Sequence, residues 1–286
     1  VKRLALLGLA LAATAAASVA SLPSASNANV PVSKTRAADS PADPPPGYFA
    51  VQDLPYYPYA GKWTFARIWT NGGFRGYGRF GRGGGRIGNG GPGWSHDYPS
   101  AEINFSKILA ELTYVHTLLE DYGGNILHFE DPRLSQFPMA YVSEAGEWDV
   151  TQEEAEALRK YLLKGGFVMF DDMRGDHMYT LAANMKVVLP DLDWILLDGT
   201  EPVFQSFFEI NLDAILRNAD PLNYGVGQFY GLFEDNDKTK RMIGFANPNV
   251  DLGEHWEYSD TGWFPIDLSN EAYKVGVNLV IYAMTH

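Results

Sequence analysis

Asp171, Asp172, Asp176 and His177 stand as D-D-x-x-x-D-H directly after the apolar run Phe167 to Phe170. Carboxylates joined by one imidazole make a donor set that can hold a divalent cation. The same residues can instead cap a helix, with Asp176 complementing the positive end of the helix dipole. Neighbouring carboxylates in a partly dry crevice repel each other, so Asp172 is expected to have a raised pKa. His96, Asp97 and Glu102 form a second candidate group beside Tyr98. Imidazole titrates near neutral pH, so His96 can serve as an acid or base in a second wall of the same site. In the plainer alternative Asp97 and Glu102 cap the helix that follows and His96 is solvated. Arg67 lies within the apolar stretch WTFARIW, where a buried guanidinium needs a carboxylate partner. Asp171 and Glu102 are the candidates, Asp171 the preferred one.

Other residues offer weaker chemistry. Glu254, His255, Trp256 and Glu257 gather acidic and aromatic groups in what reads as a loop, and Trp94, Trp256 and Trp263 can stack on a sugar ring or simply cover the core. His116 and His128 fall within helix and strand patterns and read as packed or solvated. The chain contains no cysteine, which excludes disulfides, thiolate metal sites and a cysteine nucleophile. There is no G-x-S-x-G elbow, which argues against a serine hydrolase. The tract NGGFRGYGRFGRGGGRIGNGGPG, residues 71–93, has neither the P-loop nor the G-x-G-x-x-G spacing. Its Arg75, Arg79, Arg82 and Arg86 make it either a soluble flexible insertion or a basic loop that captures an anion or a single strand of nucleic acid.

These groups need a scaffold, and its pattern is readable. Thr151 and Glu154 form a capping box, Ala155, Leu158 and Leu162 share one helical face, and Gly165-Gly166 ends the helix. The run Phe167 to Phe170 then reads as a strand buried on both faces. Its two terminal aspartates lie where open α/β sheets usually bind ligands. Trp63 to Trp69, Ile126 to Phe129, Met139 to Val142, Trp194 to Leu197 and Arg241 to Ala246 read as further strands. A helical face is traced by Phe105, Ile108, Leu109, Leu112, Val115 and Leu119, ending at Gly123-Gly124; Met178 to Leu189 and Glu271 to Met284 read as helices too. The segment DGTEPVFQSFFEI reads as extended. Helices between short apolar strands predict an α/β fold, a three-layer sandwich around a mostly parallel sheet.

At the N-terminal side, Lys2 and Arg3 precede the apolar run Leu4 to Ala20, and small residues surround Ala28. That pattern predicts a signal peptide over residues 1–28 and a periplasmic or secreted protein. Residues 29–47 form a Pro/Ala/Ser-rich linker expected to be disordered, followed by an α/β domain over 48–286 that begins with an aromatic arm at Tyr48 to Tyr59. A net charge of −13 argues against general nucleic-acid affinity. No transmembrane segment is expected in the mature chain.

FARIW, W-x-x-DYPSAEINF, LRKYLLKGGFVMFDD, VLPD, EPVF, NPNVDLGEHWEYS and AYKVGVNLVIYAMTH occur in that order. Together they resemble the bacterial domain of unknown function 4159 over Lys62 to His286. That family resembles the class I glutamine amidotransferase-like, flavodoxin-like fold, and its biochemical function is unassigned. The resemblance implies an exported protein, alone or with a membrane-anchored or periplasmic partner. Amidotransferases carry a cysteine at the turn after a central strand, where this chain has Asp171-Asp172, so cysteine-dependent glutamine hydrolysis is excluded. DGTEPVF lacks a histidine common in the family, and the Gly-Arg tract is longer than usual. The expected function is therefore non-catalytic ligand or partner binding at the C-terminal edge of the sheet, through Asp171, Asp172, His177, His96, Asp97, Glu102 and Arg67. The alternative is a metal-assisted hydrolase acting on a carbohydrate or peptide. No cofactor is expected apart from the divalent metal that Asp171, Asp172, Asp176 and His177 allow.

Overall fold

The capping box at Thr151 starts the best-defined unit of the fold. In a computed structural model, which describes residues 55–70, 93–216 and 225–286, the Thr151 hydroxyl accepts from the Glu154 N–H. The Glu154 carboxylate in turn accepts from the Thr151 N–H. Helix α2 (Gln152–Leu163) follows, and Gly165 leaves it at a φ of +108°, a conformation open to glycine. Strand β4 (Phe167–Asp171) comes next and is buried throughout. The expected leader and linker, and the Gly-Arg tract up to residue 92, lie outside the described residues. Of the expected arm, Tyr57 exchanges two hydrogen bonds with the Asn125 side chain, and Arg133 stacks on Tyr56.

The remaining elements, in chain order, are β1 (Phe65–Ile68), α1 (Ser100–Leu112), β2 (Gly124–Leu127), β3 (Met139–Ser143), α3 (His177–Val188), β5 (Trp194–Leu196), α4 (Leu212–Leu216), β6 (Tyr230–Phe233), β7 (Met242–Ala246), α5 (Leu252–Glu257) and α6 (Ile266–Thr285). They build one seven-stranded sheet in the order β2-β1-β3-β4-β7-β6-β5. Strands β2, β1, β3, β4 and β7 run parallel, and β6 is antiparallel to both β7 and β5. The fold is thus α/β with a mostly parallel sheet. Strand order reverses between β1 and β3, and it is beyond the C-terminal strand ends at such a reversal that open α/β sheets usually bind ligands.

Alternation along the strands separates two cores. Phe65, Met139, Tyr141, Phe167 and Met169 face α1, α5 and α6, while Ala66, Ile68, Ala140, Val142, Val168 and Phe170 face α2 and α3. By the same period Arg67, Tyr141 and Asp171 point to the α1/α5/α6 side, and they occupy adjacent strands at the sheet's C-terminal edge.

Two expectations are corrected here. Helix α1 stops at Leu112 instead of continuing towards Gly123. The Thr113 hydroxyl bonds back to the Leu109 carbonyl, and the chain beyond it pairs with Trp63 through Trp63 N–H to His116 O and Leu118 N–H to Trp63 O. Tertiary pairing overrides a pattern that Val115 and Leu119 would have extended. The segment from Asp198, expected to be extended, makes a 3-10 turn at Pro202–Gln205.

Candidate functional site

Asp171 ends β4 with a fully satisfied carboxylate. It accepts from Tyr141 Oη at 2.8 Å, Leu252 N at 3.0 Å, Gly253 N at 2.7 Å and the Asn247 side-chain amide. Burial raises its pKa, and those hydrogen bonds pull against the rise. With every lone pair engaged, Asp171 is the clasp between β4 and the start of α5. This approach requires glycine at 253: a Cβ there would meet Asp97 Oδ2 and Tyr141 Oη, each at 2.6 Å.

Arg67 does not pair with Asp171. Its Nε donates to Glu102 Oε1 and its Nη1 to Trp94 O at 2.8 Å, while its guanidinium lies 4.7 Å from the Tyr141 ring centroid. Both members of the Arg67–Glu102 pair are 1 % exposed. Burial works against the charge on each, and their mutual attraction opposes it. Glu102 is therefore committed to Arg67 and does not cap α1, whose N-cap, Pro99, has no side-chain cap.

Asp172 is the next residue after the clasp, and its backbone turns sharply into the left-handed region at φ +52°. Its carboxylate meets His96 Nδ1 at 3.0 Å through Oδ2 and Arg174 Nη2 at 2.8 Å through Oδ1. Burial would raise its pKa, but the His96 hydrogen bond and the Arg174 charge overcome that and hold it below the ordinary aspartate value. The rise expected from the sequence is thus reversed.

Three more carboxylates converge on this turn. Glu144, immediately after β3, places Oε1 3.3 Å from His96 Nδ1 and Oε2 3.7 Å from His177 Nδ1. Asp97 precedes α1, and Asp251 caps α5 through the Glu254 N–H while accepting from Arg174 at 3.1 Å. Asp97, Glu144 and Asp251 have φ values of +64°, +52° and +49°, so all share the left-handed backbone of Asp172. Such conformations cost on the order of 1–3 kcal/mol each away from glycine, and they gather where the surrounding structure enforces them. Burial and then the Asp172 charge push the Asp97 and Asp251 carboxyls well above the ordinary range. Burial also raises Glu144, against the pull of His96. Burial opposes charge on His96, yet its bonds to Asp172 and Glu144 raise the imidazole to about 10.

The structure thus brings together His96, Asp97, Asp172 and His177 from the sequence candidates. It leaves Asp171, Arg67 and Glu102 engaged in internal bonds, and Asp176 exposed at the start of α3. Donor atoms of His96, Glu144 and Asp172 lie within 4.8 Å of one another, as do those of Asp97, Asp172 and Asp251. Neither set is the D-D-x-x-x-D-H quartet. Glu144, Arg174 and Asp251 were not singled out from sequence; the signal that finds them is position, since each follows the C-terminal end of a parallel strand.

A cavity of about 280 Å³ opens at the opposite edge, lined in part by Phe137, Pro138, Tyr161, Lys164 and Gly166. Pro138 and Gly166 precede β3 and β4, so this space is separated from the acidic turn by the length of those strands. Lys164 is the one charged side chain in its lining, whereas carboxylates and their cationic partners gather at the acidic edge. Trp256 is buried against Phe105, as a core cover, and His255 packs against Phe264. Among the described residues no helix is long and apolar enough to cross a membrane.

The profile of a family described as a domain of unknown function (DUF4159) matches residues 85–284, and the chain belongs to that family. Comparison with curated proteins gives no match.

Proposed function

We propose that this member of the domain of unknown function 4159 family binds a cationic ligand in the acidic crevice around Asp172, without catalysing glutamine hydrolysis. One observation carries the reading. Asp97, Glu144, Asp172 and Asp251 converge on one left-handed turn, with His96 and Arg174 as the cations in direct contact. Carboxylates held this close resist ionisation, and an added positive charge relieves the repulsion that raises Asp97, Asp251 and Glu144. By the resemblance read from the sequence, the turn at Asp172 corresponds to the one where a class I amidotransferase carries its cysteine. With the β2-β1-β3-β4 order, this supports an amidotransferase-like, flavodoxin-like assignment of the fold. A carboxylate clamped by His96 and Arg174 is a poor nucleophile, which favours binding. The basic and apolar residues from Lys2 to Ala20 support export to the periplasm or beyond.

A second reading, metal-assisted hydrolysis of a carbohydrate or peptide, is favoured by the His96–Glu144–Asp172 donor set. It requires both an ion and a substrate held beside it.

The test is the melting temperature of the full chain at low ionic strength with Mg²⁺, Zn²⁺ or the dication agmatine, against phosphate and glutamate. A ligand that binds only the native state raises the transition. Stabilisation by at least one cation and by neither anion, lost in Asp172→Asn, is expected. Failure of every cation to stabilise the protein contradicts the reading.

A further inference from the structure

We propose that His96, Glu144 and Asp172 form a binding site for a first-row transition-metal dication such as Zn²⁺ or Co²⁺. The inference rests on the cation-binding reading and names the ion class. His96 Nδ1 faces two carboxylates at once, Asp172 Oδ2 at 3.0 Å and Glu144 Oε1 at 3.3 Å. Ligands of a common ion bonded at about 2.0–2.2 Å are separated by this order of distance. A bound ion would take the place of the proton that Nδ1 shares with the two carboxylates, so that Nδ1 and both oxygens turn their lone pairs to the same point.

An independent observation points to a missing partner. Glu144 is 3 % exposed, yet its Oε2 has no hydrogen bond among the described residues. His177 Nδ1, facing it, is 3.7 Å away and itself lacks a hydrogen bond among the described residues. That separation is too long for a hydrogen bond, which leaves Oε2 of the Glu144 carboxylate free to join Oε1 on the ion. A buried carboxylate oxygen left bare is costly, and the residue adopts a left-handed φ to present it.

The donor chemistry selects the ion. One imidazole with carboxylates suits Zn²⁺, Co²⁺ or Mn²⁺, whereas Ca²⁺ and Mg²⁺ favour all-oxygen sets. The other acidic group, Asp97–Asp172–Asp251, is less suited because Arg174 already spans Asp172 and Asp251 at 2.8 and 3.1 Å. Arg174 therefore balances charge on one side of Asp172, and the ion takes the other. The site differs from the quartet suggested by spacing: Asp171 is saturated by internal donors, and Asp176 is exposed.

The experiment is calorimetric titration of chelator-stripped full chain with Zn²⁺, paralleled by the visible absorption of Co²⁺. Variants are Glu144→Gln, His96→Gln and the control Asp176→Asn, with melting curves to show that each folds. One ion per chain is expected, with affinity reduced ~10–100-fold or more in either ligand variant, and unchanged in Asp176→Asn. Two ligand variants guard against one failing to fold. Zn²⁺ binding that survives both ligand substitutions overturns the site. Stabilisation by agmatine with no Zn²⁺ or Co²⁺ binding also overturns it, leaving the broader cation reading intact. Failure of all three probes, with Mg²⁺ also leaving the melting temperature unchanged, removes both.

Discussion

Arg67 on β1 and Glu102 on α1 form an ion pair in which each side chain is 1 % exposed, one residue inside the strand end that borders the acidic crevice. Arg67 also holds the Trp94 carbonyl, two residues before His96. The pair therefore fixes the segment that delivers His96 and Asp97. Removing one partner strands a buried charge, so Arg67→Met or Glu102→Gln should each cost about 3–5 kcal/mol. The double variant Arg67→Met/Glu102→Leu should recover much of that loss. Urea denaturation of all three measures the coupling; additive losses would show that the pair is not the source of the effect.

Gly253→Ala should cost about 1–3 kcal/mol, the usual range for overpacking. The added methyl would lie 2.6 Å from both Asp97 Oδ2 and Tyr141 Oη and push α5 off the Asp171 carboxylate. Chemical denaturation checks the value. An unchanged midpoint would mean that α5 is not held this close to β4.

Asp171 and Asp176 should behave oppositely despite sharing one short motif. Asp171→Asn places an amide N–H against donors at Leu252, Gly253 or Tyr141 and should cost about 1–3 kcal/mol. Asp176 is exposed and makes no side-chain cap bond, so Asp176→Asn should stay within about 0.5 kcal/mol of wild type. Equal losses in the two variants would contradict the placement of their side chains.

This contrast shows what the sequence discloses. The capping box, the apolar run of β4 and the paired aspartates at its end are local signals, and the structure places them as read. Strand β6 escaped because YGLF is short and interrupted by Gly231, and its partner across the sheet, β5, is only three residues long. Helix α5, six residues, is too short to show a 3.6-residue period. The crevice was half legible. His96 and Asp172 stand out by type, but Glu144, Arg174 and Asp251 become neighbours only when β3, β4 and β7 lie side by side. The position of Arg67 in an apolar strand signals its need for a carboxylate, but the choice between Asp171 and Glu102 depends on which of them α5 has already claimed.

Burial alone lowers the His255 imidazole to about 4, against an ordinary value of 6.5. Between those values the unfolded chain binds a proton that the folded protein excludes, so stability rises with pH there and falls as the solution is acidified from pH 6.5 towards pH 4. The full effect is about 3 kcal/mol at 1.36 kcal/mol per pKa unit. Unfolding free energies of wild type and His255→Phe, measured across this window, should therefore diverge as pH falls, with wild type losing more. Parallel curves would show that His255 is not held neutral by burial.

On the proposed function, the acidic cluster around Asp172 takes a positive charge supplied from outside the chain. Crystals of the full chain grown with Zn²⁺, and others grown with agmatine, test it directly. Difference density at the crevice is expected in at least one. For Zn²⁺ this is an anomalous peak about 2.0–2.2 Å from His96 Nδ1 and from oxygens of Glu144 and Asp172. Zn²⁺ found only at exposed histidines such as His116 and His286, with agmatine also absent and His96 still bridging Asp172 and Glu144, would contradict it.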